Sequence, residues 1–165
     1  MRSYKDLNID YQGNDLDIIQ LQLTSLSGCP EHITGDFICK FNLLKTLAGG
    51  PRQVDRRYNC SDNHLTDLVG CASHISSELN LHNNNITSLV GIHKIIKKCQ
   101  CFYFDTSSIT QGGIGLLLIN GLEIISNYKS PQFQIISEYF GTGTKGMMEC
   151  SKELISKGFE QYAKL

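Results

Sequence analysis

Three stretches of the chain, FICKFNLL at 37–44, YNCSDNHL at 58–65 and LNLHNNNI at 79–86, obey one pattern, and each begins 21 residues after the one before. The pattern is apolar, any, apolar or Cys, two of any, Asn, any, aliphatic. Other columns keep the same spacing: Leu23, Leu44, Leu65 and Ile86; Leu26, Leu47, Leu68 and Leu89; Gly28, Gly49, Gly70 and Gly91; Ile33, Val54, Ile75 and Ile96. One unit of this length cannot bury its own apolar face, whereas stacked units bury a continuous core. The repeat therefore predicts a solenoid, one turn per copy.

Degraded copies flank the clear ones. LDIIQLQL keeps Leu16, Ile18 and Leu23 but has Leu21 where Asn is expected, and FYFDTSSI, two residues out of step, fits Phe102, Phe104, Ser107 and Ile109 to the pattern. Five coils over 16–110 result, with 1–15 as an N-terminal cap. Strand alternation predicts Phe37, Cys39, Tyr58, Cys60, Leu79 and Leu81 inward, and Asp36, Ile38 and Lys40 outward. The column Asn42, Asn63 and Asn84 suits the turn leaving each strand, where an inward amide can satisfy backbone groups of adjacent coils. The glycine column fits a second corner.

These residues resemble the leucine-rich repeat. The short period, with GCP at 28–30 and GGP at 49–51, is similar to compact repeats of bacterial and bacteriophage proteins, and the resemblance covers 16–110. Cys or Phe replaces Leu at several places, and the aliphatic column lies four residues before the strand instead of three. The convex side is accordingly expected to hold extended or tight-turn segments and no long helices.

From residue 111 the period breaks. Asn120-Gly121 between the apolar runs of GLLLINGLEII signals a two-residue hairpin. SPQFQIISEYFG predicts a helix with Ser130 as N-cap, Pro131 in its first turn, Phe133, Ile136 and Phe140 on one face, and Gly141 at its exit. A second helix is expected over 145–157, with Met147, Cys150, Leu154 and Ile155 inward and Gly158 as its stop. Residues 111–165 thus read as an α+β cap over the open end of the solenoid, protecting a sheet edge. The ending CSKELISKGFEQYAKL resembles the tails of repeat proteins from tailed phages.

Composition narrows the function. The 165 residues are 41% apolar and 19% charged, with 15 Lys and Arg against 16 Asp and Glu, a net charge of −1. That balance lacks the concentrated positive face needed to grip phosphate backbones, so nucleic acid is not expected as a partner. No apolar run reaches the length of a membrane span, and the N-terminus carries no secretory signal. Seven cysteines, an odd number, do not form the paired framework of a small secreted scaffold. The expectation is a cytoplasmic protein with reduced thiols and no bound cofactor.

Sharper chemistry finds weak footing. GTGTKG at 141–146 matches G-x-G-x-x-G, yet only 19 residues follow it, too few for the rest of a dinucleotide-binding unit. Cys29 with His32, Cys71 with His74, and Cys99 with Cys101 have ligand-like spacing, but Cys29 and Cys71 fall two coils, roughly 10 Å, apart. One zinc cannot bridge that distance, so no metal site is assigned. Cys39 and Cys60 are read as small apolar fillers. Ser61, Asp62 and His82 could meet on the sheet face, but an open face provides no oxyanion hole, so no catalytic residue is assigned.

What remains is the outward sheet face itself. Ile38, Lys40, Phe41, Arg57, Asn59, Asp62, Glu78, Asn80, His82, Tyr103 and Asp105 combine aromatic, apolar and mixed-charge side chains, the makeup of a protein interface. The expected function is non-enzymatic protein binding through this face, with Tyr103 and Arg57 as anchors. The resemblance implies, more narrowly, a phage-encoded factor that binds and modulates or inhibits a host enzyme or defence protein. Two alternatives stay open: an enzyme or nucleotide-binding protein using residues 141–146, and a self-assembling structural subunit.

Overall fold

Six short strands stack in parallel in the computed structural model, which describes residues 2–125 and 130–165. In order they are Leu16–Asp17, Phe37–Ile38, Tyr58–Asn59, Glu78–Asn80, Cys101–Tyr103 and Ile124–Ile125. Leu16, Phe37, Tyr58, Leu79, Phe102 and Ile125 are register partners in turn. The chain is a β-solenoid of about five turns with the predicted inward residues in its core: Phe37, Cys39, Tyr58, Cys60 and Leu79 are fully buried and Leu81 nearly so. Phe37 and Tyr58 pack their rings with centroids 4.9 Å apart along the ladder.

Two further ladders close each coil. His32–Ile33, Gln53–Val54 and His74–Ile75 form a second parallel sheet, and bridges from His74 to Lys98 and from Lys98 to Asn120 continue it. Ser88–Leu89 pairs with Gln111–Gly112 as a third. The convex side holds no long helix: it carries these short extended pieces and one four-residue helix, α1, Ile92–Ile95. That helix inserts extra residues into its coil, so the main ladder advances 23 residues from Leu79 to Phe102 instead of 21. Ile96 is buried as its column predicts, but the second ladder passes from His74 to Lys98.

Both corners are as their residue types require. Gly28, Gly49, Gly70, Gly91 and Gly112 all have φ between +75° and +88°, and a Cβ at Gly70 would collide with the Ala48 backbone one coil away. At the other corner Asn63 Oδ1 accepts from Leu44 N–H at 3.1 Å, while its Nδ2 donates to the carbonyls of Cys39, Cys60 and Ser61 at 3.0–3.2 Å. Asn42 and Asn84 repeat the arrangement one coil to either side. Each amide ties two coils together and leaves few buried polar groups unmet.

The C-terminal expectations need correction in three places. Asn120-Gly121 does not turn a hairpin: the chain runs on as a further coil, and Ile124–Ile125 pairs in parallel with Cys101–Phe102. The open edge of that strand supplies the partner, with Gln100 C=O accepting from Glu123 and Ile124 N–H. The sheet consequently has six strands where five were expected. Helices α2, Pro131–Glu138, and α3, Gly143–Ser156, do form, and Phe133, Ile136, Cys150 and Leu154 are buried. Ile155 is exposed, because the turns of α3 carry it away from the face formed by Cys150 and Leu154. Ser130 precedes α2 but bonds Thr106 Oγ1 at 3.0 Å instead of capping the helix. Helix α2 packs on the last coils through Phe133, edge-on to Phe104 at 5.2 Å, and the short turn Glu160–Ala163 after α3 does so through Tyr162, whose hydroxyl donates to Ile109 C=O at 2.9 Å.

Candidate functional site

Strand geometry delivers the outward residues to one face. Ile38, Asn59, Asn80 and Tyr103 occupy its central row in consecutive coils, each a register partner of the next. All four are half-buried, as side chains that stand side by side on a sheet must be. Asn59 and Asn80 turn their amide oxygens back to the N–H of Ser61 and His82, both at 3.1 Å.

On one flank a charged cluster has formed that the sequence did not announce. Asp36, expected outward, is only 3% exposed because the guanidinium of Arg57 folds over it. Asp36 accepts from Arg57 Nε and N–H at 3.0 Å and from Nη2 at 2.5 Å, and Arg56 approaches at 3.8 Å. These donors hold the Asp36 carboxyl below the ordinary value of 3.8, the Arg57 side chain first among them. Arg57 therefore does not point freely to solvent; it covers a buried carboxylate.

On the other flank lies a second cluster. His82 Nδ1 is 2.9 Å from Asp105 Oδ1, and the His82 ring stacks on Tyr103 with centroids 6.4 Å apart. Asp105 also accepts from Asn83 N–H at 2.7 Å, and Asn83 Nδ2 donates to Asp62 at 2.8 Å. His82 thus faces Asp105 and not Asp62, while Ser61 is buried beneath the face. The Ser61, Asp62 and His82 grouping weighed from sequence is not assembled. Glu78 and Lys40 are half-buried at the rim.

The second flank also carries a column of left-handed residues: Gln20, Phe41, Asp62 and Asn83, with φ between +54° and +57°. Each sits one position before the Asn corner, or before Leu21 in the first coil. Asp and Asn take this conformation readily, but a bulky side chain there is strained. Phe41 nonetheless keeps it with 51% of its surface exposed, the Lys40 ammonium lying 5.5 Å from the ring centroid. The column could have been read from the sequence by its spacing; its backbone conformation could not.

Comparison with family models, curated protein sequences and solved structures gives no match. The ground for a function is therefore the chemistry of the site alone.

Other candidate sites fare worse. Among the described residues no three His, Cys, Asp or Glu side chains converge as a metal site would require, and no helix is long and apolar enough to cross a membrane. All seven cysteines are free thiols. GTGTKG follows helix α2 and not a strand, and each glycine has a local reason: Gly141 and Gly143 have φ of +77° and +66°, and a Cβ at Gly146 would strike the Thr142 side chain. A groove of about 520 Å³ beside this turn is lined by Leu116–Glu123, Phe140, Gly141, Gly143 and Thr144. Among the described residues its lining contains no cationic side chain for a phosphate.

Proposed function

We propose that this chain is a non-enzymatic protein-binding module of leucine-rich-repeat type that engages its partner through the six-stranded face. The observation that carries the reading is Phe41, an exposed aromatic ring held in a left-handed backbone conformation. A column that elsewhere takes Gln, Asp and Asn gains no stability from Phe there. Strain of this sort concentrates at functional positions, and aromatic anchors dominate interfaces. Phe41 replaces Arg57 as the first anchor, since Arg57 already serves Asp36. Tyr103 stays as the second, stacked on His82 and next to Asn80 in the central row.

A reducing, cytoplasmic setting is the reading that fits an odd number of cysteines, seven, without the paired framework of a small secreted scaffold. The narrower version, a phage-encoded factor acting on a host enzyme or defence protein, rests on the resemblance of the repeats and of the C-terminal tail. Affinity capture with the immobilised chain, read by mass spectrometry, tests the core claim. A partner retained by the parent protein and lost with Phe41→Ala and Tyr103→Ala is expected. Retention by both variants, with loss on Lys145→Ala, would move the site to residues 141–146.

A further inference from the structure

We infer that the occupant of the sheet face is a cationic segment of another protein, carrying Lys or Arg side chains next to an apolar residue. This rests on the sheet-face reading and adds the chemistry of the partner. The cations that the face itself supplies are engaged already. Arg56 and Arg57 lean on Asp36, Arg56 reaches Asp15 as well, and the Lys40 ammonium lies over Phe41. Asp15 and Asp36 take up those cations, and the other carboxylates are less well matched. Among the described residues no Lys or Arg comes within ion-pair distance of Asp17, Asp62 or Glu78, Glu78 feeling only the charge of the nearby Arg57, and Asp105 faces the His82 imidazole and the Asn83 N–H.

The positive charge that would balance them is exposed on another side. Lys97 and Lys98 lie along the second ladder and Lys94 on α1 beside it, whereas Arg52 on the same ladder is offset by Glu31 at 3.7 Å. The net charge of −1 thus conceals a separation of sign, with the sheet face left negative. Complementary potential of this kind selects partners and speeds their encounter.

Phe41 and Asp62 join the two requirements. They occupy consecutive coils of the left-handed column, roughly 4.8 Å apart in coil spacing, so an exposed ring stands next to a carboxylate without a cationic partner. Lys40 already uses the ring as a seat for a cation. A partner guanidinium or ammonium that takes this seat has a carboxylate within one coil, while an adjacent apolar side chain meets Ile38, in the same coil as Phe41.

Random linear peptides displayed on yeast, selected on the full chain and then synthesised, provide the probe. Enriched peptides should be rich in Lys and Arg beside an aliphatic or aromatic residue, and should lose binding to Phe41→Ala. The combined Asp62→Asn, Glu78→Gln variant should bind them about fivefold more weakly, two surface pairs being removed. Asn fits the left-handed position of residue 62, as Asn83 does, and thermal melting checks that both variants fold. Affinity should also fall on going from about 0.1 M to about 1 M salt.

Peptides that need Phe41 but are not basic, or that ignore the charge variant, overturn the cationic partner and leave the sheet-face reading standing. Peptides that still bind the Phe41→Ala, Tyr103→Ala double variant overturn the sheet-face reading itself. A selection without enriched sequences overturns the cationic partner. So does self-association of the chain that Lys97→Glu abolishes, because the occupant would then be a second copy.

Discussion

The carboxylate of Asp36 and the side chain of Arg57 in the following coil meet at 2.5 Å, and the same carboxylate accepts the Arg57 backbone N–H at 3.0 Å. One residue thereby clamps two coils by main chain and side chain together. Arg57→Ala should cost about 2 kcal/mol at neutral pH, the worth of a hydrogen bond to a charged group with partial burial. The sign of its pH dependence follows from Asp36. Its carboxyl titrates lower when folded, so its contribution is present above 3.8 and is lost as the pH falls below that value. Urea titrations of parent and variant should therefore converge in acid; a constant difference down to low pH would show that the pair is not what Arg57 stabilises.

Asn63→Ala removes one acceptor and three donor bonds from a corner that is 4% exposed. Several backbone groups are left unmet, and a loss of at least about 3 kcal/mol is expected. Asn85→Ala, at an exposed position just after the next corner, should change the urea midpoint little.

Phe41→Asn offers the opposite outcome. Relief of the left-handed conformation, worth about 1 kcal/mol, should offset the packing that a half-exposed ring gives up. The melting midpoint is expected to equal or exceed that of the parent while partner binding falls. A clear loss of stability would mean that Phe41 is there for the fold.

Tyr58 lies within the core with no partner for its hydroxyl among the described residues, and the hydroxyl reaches into the space left by Gly50. Burial also pushes the pKa of this hydroxyl well above the usual phenol value, making it a weaker acid. Tyr58→Phe should stabilise the protein by about 1 kcal/mol, because a stranded polar group is removed. Chemical denaturation should show a higher midpoint with an unchanged slope.

Burial raises the Cys29, Cys99 and Cys150 thiols to about 12 and pushes those of Cys39, Cys60 and Cys71 well above their ordinary value too. Thiolate is the reactive species, so alkylation at about pH 8 should be slow at these six positions until the protein unfolds. Peptide mapping after a short exposure should find label on Cys101, half-buried on the sheet face. Denaturant without reductant should release seven titratable thiols.

The solenoid was legible because its columns are side-chain chemistry at fixed spacing. Leu65 or Gly70 has only one role in a stacked coil, and both residues keep it. Asn120-Gly121 misled because a hairpin turn and a solenoid corner both call for a glycine at positive φ, and the choice fell to a distant partner, the open edge at Cys101–Tyr103. Asp36 and Arg57 misled for a related reason. Alternation places both on the outside, and only the length of the arginine lets it fold back and bury its neighbour. At the candidate site the residue types were readable in order, but the strain at Phe41 and the pairing of His82 with Asp105 depend on three dimensions.

The uniform register from Leu16 to Leu79 also makes coil number a variable that can change without redesign. The corner amides in this region join each coil to its neighbour in the same way, so a duplicated unit would find the same sockets on both sides. Genes of this form can lengthen or shorten by in-frame copying and still fold. The recognition face would grow by one row at each step, a ruler whose graduations are set by the chain itself.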